Sequence, residues 1–369
     1  MIIPKLTRTI MLIIGIIFIS LFLTDISLRI FSPLFTPILR TFIQEDALRL
    51  PNSASRVAKN IQIILRERDF QRPPDILVIG DSMVFGTLVK EKDLFTNMMS
   101  KEAGLTVLNL GIGGAAFCNY NNMLAYAINR LPKPPSFIVY VIFANDIIRE
   151  ECMRQETFAK YFIIEEKDYR HNLKLRIRRF REYIFQRSVL YQLLKRMFTF
   201  GHLHDDIYFK PVYFKQGNLE FLFAPTSFWA RNLDPNMPGF DKAFQGSVDK
   251  INLAIALARR AGAGFFVVLM PFKEQVYTPL LVAKGLLPPD LYAPFYDSTY
   301  DRLRNILDSL GVTAIDLRPA FRQAAKKNER LYWIADGHLT PLGHRVAAEA
   351  ILKELRPQIK NKIFKGEKR

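Results

Sequence analysis

Apolar residues along this chain fall into short unbroken runs, separated by longer stretches in which they recur at helical spacing. Ile76 to Ile79 form one such run between Pro73-Pro74 and Gly80, and Phe137 to Phe143 form another. Phe265 to Met270, closed by Pro271, repeats the pattern. Runs of this length, rich in β-branched and aromatic residues and bounded by Gly or Pro, predict strands buried on both faces. Two more strands are predicted at 106–110, ending at Gly111, and at 312–317, closed by Arg318-Pro319. Helical patterns occupy about 94–102, 119–130, 240–261, 299–310 and 341–355. Strands alternating with helices predict the α/β class, a parallel sheet with helices on both faces.

One interval breaks the alternation. Residues 150–240, between the third and fourth strands, are too many for a single crossover helix and read as an insertion. It contains a basic run from Arg170 to Arg196, including Arg176, Arg178 and Arg179, in which Glu182 is the single acid. Leu173, Leu175, Ile177, Phe180, Ile184 and Phe185 are interleaved with the charges. Such a stretch suits either a solvated helix face or a contact with a polyanion or anionic lipid headgroups. The whole chain of 369 residues carries a net charge of +17, which points to anionic surroundings of the same kind.

The amino terminus adds a location. Ile10 to Leu23 is uncharged and almost wholly apolar, and Lys5 and Arg8 stand just before it. It is short for a membrane span, but Thr9, Thr24, Ile26, Leu28, Ile30 and Phe31 extend it, and no small-x-small cleavage site follows closely. An uncleaved anchor over 1–32 is expected in preference to a cleaved signal. Positive charge before the span keeps the amino terminus in the cytoplasm and sends the rest across, so the body is expected to be periplasmic. That setting argues against nucleic acid as a partner. It permits a disulfide between the two cysteines, Cys118 and Cys152, which read equally well as separate thiols. Residues 33–72, with a helix over 55–68, read as tether and lead-in, 73–356 as the main domain, and 357–369 as a basic tail.

Chemistry gathers at the strand ends. Ser82 follows the first strand in Gly80-Asp81-Ser82, where open α/β sheets bind their ligands. A serine attacks an ester carbonyl only when a base takes its proton. His338 in Asp336-Gly337-His338 is the best base, with Asp336 beside it, and Thr340-Pro341 then opens the last helix. Asp81 shapes the turn, and His344 is a residue of the final helix. Gly113-Gly114 offers unobstructed backbone N–H groups after the second strand, and Asn145 an amide after the third. His202, His204, Asp205 and Asp206 lack further ligands, so neither a metal nor a cofactor is expected.

These residues resemble the SGNH (GDSL-like) hydrolase family. Gly80-Asp81-Ser82 with Gly86 matches its first block and Asn109-Leu110-Gly111-Ile112-Gly113-Gly114 its second. Ala144-Asn145-Asp146 matches the third and Asp336-Gly337-His338 the last. Met83 stands where the signature has leucine, Ala144 where the third block has glycine, and the last block reads Asp-x-His where the family often has Asp-x-x-His. The resemblance implies a flavodoxin-like three-layer α/β/α sandwich, with Ser82 as nucleophile and His338 as base. It also implies an oxyanion hole from the N–H groups of Ser82 and Gly114 and the side chain of Asn145. An esterase acting on a small O-acyl group of a carbohydrate or lipid is the leading expectation. An acyltransferase modifying an exported polysaccharide shares the same site, as in envelope relatives that acetylate alginate. A non-catalytic carbohydrate-binding or scaffold protein is the third reading, and an intact Ser82, Asn145 and His338 speaks against it.

Overall fold

A computed structural model of the protein describes residues 19–24, 26–27, 70–147, 212–223, 233–289, 293, 295–334 and 336–366. The chain divides into two compact units, Met1–Ala58 with Asn172–Ile207, and Lys59–His171 with Tyr208–Arg369. Of the first unit only the helical residues 19–24 and 26–27 are described, with Ile19, Leu21, Phe22 and Leu23 exposed. Among the described residues no helix is long and apolar enough to cross a membrane. Most of the expected anchor, the 55–68 helix, the 202–206 cluster and the basic run with Arg176, Arg178 and Arg179 lie outside the described residues.

The second unit is built on five parallel strands. These are β1 (Ile76–Gly80), β2 (Val107–Gly111), β3 (Phe137–Ile142), β6 (Gly264–Leu269) and β7 (Thr313–Asp316), in the order β2-β1-β3-β6-β7. That is the flavodoxin-like order for five parallel strands, with its switch point between β1 and β3. Ile76, Leu77, Val78 and Ile79 are fully buried, as a strand covered on both faces requires. Burying each such side chain contributes roughly 1.5–3 kcal/mol, enough to fix the strand in the middle of the sheet. Ile79 pairs with Leu110 on one side and Tyr140 on the other, so the three strands end together.

Helices follow the strands. Their ranges are α1 (Ser82–Phe85), α2 (Phe95–Ala103), α3 (Phe117–Arg130), α4 (Phe240–Arg260), α5 (Lys273–Ala283), α6 (Phe295–Ser309), α7 (Arg318–Lys326) and α8 (Pro341–Gly366). Right-handed crossovers put α2 on one face of the sheet and α3 and α4 on the other. The packing agrees: α3 lies on α4, while α2 lies on α8, α8 on α7 and α7 on α5. Both faces of the parallel sheet are therefore covered.

Three differences from the sequence reading matter. The carboxyl-terminal helix does not stop near 355 but continues to Gly366 past Pro357, so most of the expected basic tail is helical, and Ile359 is buried. Arg318-Pro319 not only closes a strand but opens α7, because proline is pre-shaped for the first helical turn. The inserted region contains an antiparallel hairpin, β4 (Val212–Gln216) and β5 (Leu219–Phe223), which belongs to the same unit as the sheet.

Candidate active site

The turn that carries Ser82 is shaped by three close approaches. Asp81 caps α1, its Oδ1 accepting the Met83 N–H at 2.8 Å. Gly86 ends that short helix at φ 77°, a left-handed conformation that favours glycine, and a Cβ there would lie 1.8 Å from Leu94 Cδ2. Gly111 sits where a Cβ would stand 2.2 Å from the Phe85 nitrogen, so β2 can lie against α1 only without a side chain. Asn109 completes the arrangement: its Nδ2 donates to the Val84 carbonyl at 2.8 Å and to Thr96 Oγ1 at 3.0 Å. Its Oδ1 accepts the Gly111 N–H at 2.8 Å. The second block is thus what holds the serine helix in place.

His338 arrives from the far end of the chain. Tyr332 and Leu339 form an isolated bridge, and the Trp333 N–H donates to the His338 carbonyl at 3.1 Å. On this loop Asp336 Oδ1 accepts the His338 backbone N–H at 2.8 Å and faces Nδ1 at 2.5 Å. The other ring nitrogen, Nε2, lies 2.8 Å from Ser82 Oγ. These partners assign the tautomer: Nδ1 carries the proton toward the carboxylate, leaving Nε2 to accept the serine hydroxyl. The Asp-x-His spacing therefore places the acid on the ring. Ser82 Oγ also lies 3.3 Å from Asp81 Oδ2, a longer alternative to the bond with His338.

The third strand end supplies the amide. Ala144 to Asp146 form one 3₁₀ turn, in which the Phe143 N–H donates to Asp146 Oδ2 at 2.9 Å and the Tyr120 hydroxyl donates to Asp146 Oδ1 at 2.8 Å. Asn145 is buried between them and its Nδ2 donates to Asp81 Oδ2 at 3.1 Å. One of its two amide hydrogens is thus fixed, which orients the other. Asp81 is 1% exposed, and burial raises its carboxyl pKa above the ordinary range. The Met83 N–H, the charge of His338 and the Asn145 and Ser82 donors oppose that rise. Gly113 and Gly114 are exposed, Gly114 at φ 76°, and no atom lies within 4 Å of the place a Cβ would take on either. The loop they form is closed by the Ala115 N–H on the Ile112 carbonyl at 3.1 Å and the Ala116 N–H on Asn119 Oδ1 at 3.1 Å.

Residues 240–368 match the family described as SGNH hydrolase-like domain, acetyltransferase AlgX. The match takes in Asp336 and His338, and the Ser82, Gly114 and Asn145 blocks precede it. The matched stretch is similar to an SGNH hydrolase-like domain. A comparison with curated proteins finds no match. Among solved structures the chain is similar to a member of the lipolytic protein G-D-S-L family from Veillonella parvula DSM 2008. The two are 11% identical with a TM-score of 0.38, over 75% of this chain and 96% of that one. It is also similar to a catalytic mutant of an acetylxylan esterase from Geobacillus stearothermophilus, 13% identical with a TM-score of 0.38, over 78% of this chain and 96% of that one.

The structure brings Ser82, which precedes the matched stretch, together with His338 and Asp336 inside it, and joins Asn145 to Ser82 through Asp81 Oδ2. His344 lies apart from the site: it is 1% exposed, its Nδ1 accepts the Phe95 N–H at 3.3 Å, and its ring stacks on Phe95. Cys118, at the start of α3, is disulfide-bonded, and the chain's other cysteine lies outside the described residues. Sequence reasoning missed Lys273, a buried lysine whose Nζ donates to the Ile334 carbonyl at 2.9 Å. It missed Leu222 as well, whose N–H donates to the same carbonyl at 2.9 Å. A lone lysine after Pro271-Phe272 carries no motif. The hairpin bearing Leu222 had a signal in Gly217-Asn218, a two-residue turn between β-rich runs.

Proposed function

We propose that the protein is a serine esterase-type enzyme that works through an acyl-Ser82 intermediate. The observation that carries this reading is the series Ser82 Oγ, His338 Nε2, His338 Nδ1 and Asp336 Oδ1, linked at 2.8 Å and 2.5 Å. In the first step Ser82 Oγ bonds to the ester carbonyl carbon while His338 Nε2 takes the hydroxyl proton. Negative charge moves to the carbonyl oxygen. The Ser82 N–H opens α1 and has no carbonyl four residues back to bond. With the Gly114 N–H and the second Asn145 hydrogen it makes the donor set for that oxyanion. Collapse of the intermediate breaks the bond to the alcohol, which leaves with the proton from His338. Water or an acceptor hydroxyl then attacks acyl-Ser82 while His338 takes its proton; the bond from the acyl carbon to Ser82 Oγ breaks, His338 returns the proton to Ser82, and the product acid or ester leaves.

The same site serves transfer, and the matched family is described as an acetyltransferase, which favours a second reading in which the acceptor is a carbohydrate hydroxyl. Water is abundant, so transfer prevails only when an acceptor is held in near-attack geometry, worth effective molarities of about 10⁵ M or more. We take the acylated substrate to be a carbohydrate or lipid of the cell envelope. The apolar segment from Ile10 to Leu23 would tether the enzyme to the membrane with the site on the periplasmic side, and the basic run would face anionic polymer or headgroups.

A fluorophosphonate probe followed by peptide mapping tests the nucleophile: label is expected on the Ser82 peptide and absent in Ser82→Ala. Label elsewhere, or none on an intact fold, overturns the reading. Incubation with an acetyl ester and added oligosaccharides separates the two outcomes. Acetylated oligosaccharide as the main product supports transfer, and free acid alone supports hydrolysis.

A further inference from the structure

We propose that Lys273 is a positioning residue for the Asp336–His338 pair, an inference that rests on the catalytic reading above. Lys273 opens α5 just past the end of β6 and is 3% exposed. Its Nζ donates to the Ile334 carbonyl at 2.9 Å and reaches the Asp336 carbonyl at 3.5 Å. The Ile334 oxygen also accepts the Leu222 N–H at 2.9 Å, so both of its lone pairs are engaged. The two arms of the histidine loop hold each other through the Tyr332–Leu339 bridge and the bond from the Trp333 N–H to the His338 carbonyl. Its root is held by the Thr340 N–H on the Leu331 carbonyl at 2.9 Å. Lys273 meets the loop at its crossing between those arms, at the same Ile334 carbonyl that the β5 residue Leu222 holds.

Removing an ammonium from water is costly, and a methionine would fill the same space without that cost. What methionine lacks is donors. The two carbonyls that Lys273 reaches are that of Asp336 itself and that of the residue two positions before it. The bonds from Asp336 to His338 and from His338 to Ser82 stand in series, so a displaced loop breaks both. Misplacement of reacting groups by about 1 Å costs on the order of 10²-fold in rate.

The test uses the full chain in detergent, with Lys273→Met, Lys273→Gln and Lys273→Arg. Tyr300→Phe is the control, since it removes a buried hydrogen bond, to the Met270 carbonyl, that involves no residue of the loop. On a small acetyl ester, Lys273→Met should lower kcat by about 10²-fold with KM little changed. Lys273→Arg should recover part of that loss, and Tyr300→Phe should keep near-normal kcat although its melting temperature falls. With ¹⁵N-labelled histidine, the proton between His338 Nδ1 and Asp336 should give a far-downfield signal that is lost or shifted in Lys273→Met and kept in Tyr300→Phe. If Lys273→Met does not fold, Lys273→Gln, whose shorter neutral arm falls short of the carbonyls, takes its place in both measurements. Wild-type kcat and an unmoved proton signal in the folded Lys273 variants, or equal losses in Lys273→Met and Tyr300→Phe, overturn the proposal. A wild type that neither turns over nor takes the fluorophosphonate, yet shows the proton signal shifting on Lys273 substitution, sinks the catalytic reading and leaves the positioning role standing.

Discussion

Asp336 holds His338 twice through a single oxygen, Oδ1 accepting the backbone N–H at 2.8 Å and facing Nδ1 at 2.5 Å. The first bond sets where the histidine starts and the second sets which way its ring turns. With only one residue between them, the acid is also the turn former, so loop shape and ring tautomer come from one side chain. Asp336→Asn keeps the shape but not the charge, and its amide can present a donor to Nδ1. Replacing the buried acid of a serine triad by its amide lowers turnover by about 10⁴-fold through the wrong tautomer. A loss of kcat on that order with unchanged folding is expected here, measured on a chromogenic acetyl ester. Activity within tenfold of wild type would show that Asp336 does not orient the ring.

His344 gives the opposite expectation. Its Nδ1 accepts the Phe95 N–H that opens α2, and its ring stacks on Phe95 with an interplanar angle of 14°. His344→Ala leaves a buried donor unpaired, which costs about 1–3 kcal/mol, and adds a cavity. The melting temperature should fall while kcat per folded molecule stays near normal. His338→Ala should reverse both results, and an exchange of the two phenotypes would remove His338 from the proposed mechanism.

Much of this was legible because the strands are apolar without interruption and end at Gly or Pro. The run Ile76–Ile79 has one sensible reading, and so has Phe137–Phe143. Helices α5 and α7 were not legible for different reasons. α5 begins with Lys273, Glu274 and Gln275, all buried, and contains Pro279, so neither polarity nor periodicity marks it. α7 begins with Arg318, which reads as a surface stop but is buried among Asp297, Asp301 and Asp316. Those carboxylates outweigh its burial and hold its pKa above the ordinary range. The site residues themselves were legible as motif blocks. The roles of Asn109 and Gly111 within their block, and Lys273 altogether, were not, because these residues act through contacts with segments distant in sequence.

Gly111 tests that distinction. A Cβ at this position would stand 2.2 Å from the Phe85 nitrogen and 2.5 Å from the Val84 carbonyl carbon, both backbone atoms of the helix that carries Ser82. Backbone cannot swing aside as a side chain can, so Gly111→Ala must push β2 and α1 apart. Overpacking of this kind costs typically 1–3 kcal/mol, and the displacement falls on Ser82. Both stability and kcat should drop. In α4, Gly246→Ala meets no atom within 4 Å and replaces the weaker helix former, so a gain of up to about 1 kcal/mol in stability with unchanged kcat is expected. Thermal melts and steady-state rates on the two variants decide both points. Unaltered kcat in Gly111→Ala would mean that the placing of Ser82 does not depend on this approach.

Asp81 joins stability to catalysis in a way that pH can separate. It is buried, its pKa is raised above the ordinary 3.8 chiefly by that burial, and it accepts the Met83 N–H, Asn145 Nδ2 and the longer contact from Ser82 Oγ. An acid whose pKa is raised on folding stabilises the fold below its unfolded value. It loses that contribution as pH rises through the folded value. Asp81→Asn removes the titration, so its stability relative to wild type should increase with pH from about 4 upward and then level off above the folded pKa. If its Oδ1 keeps the Met83 N–H, its amide hydrogens point at Asn145 Nδ2, donor against donor. Asn145 must then turn its Oδ1, which is buried without a hydrogen bond, toward residue 81. The amide hydrogen proposed to serve the oxyanion moves with it. Losing one such donor costs about 10²–10³-fold in kcat, with little change in KM, and Asn145→Ala should give a similar loss. Pairing the two variants should add little, because both remove the same hydrogen. Chemical denaturation across pH reads the first half of the argument and double-variant kinetics the second. A pH-independent stability difference would put the Asp81 carboxyl at its ordinary pKa. Fully additive kinetic losses would show that Asp81 does not act through Asn145.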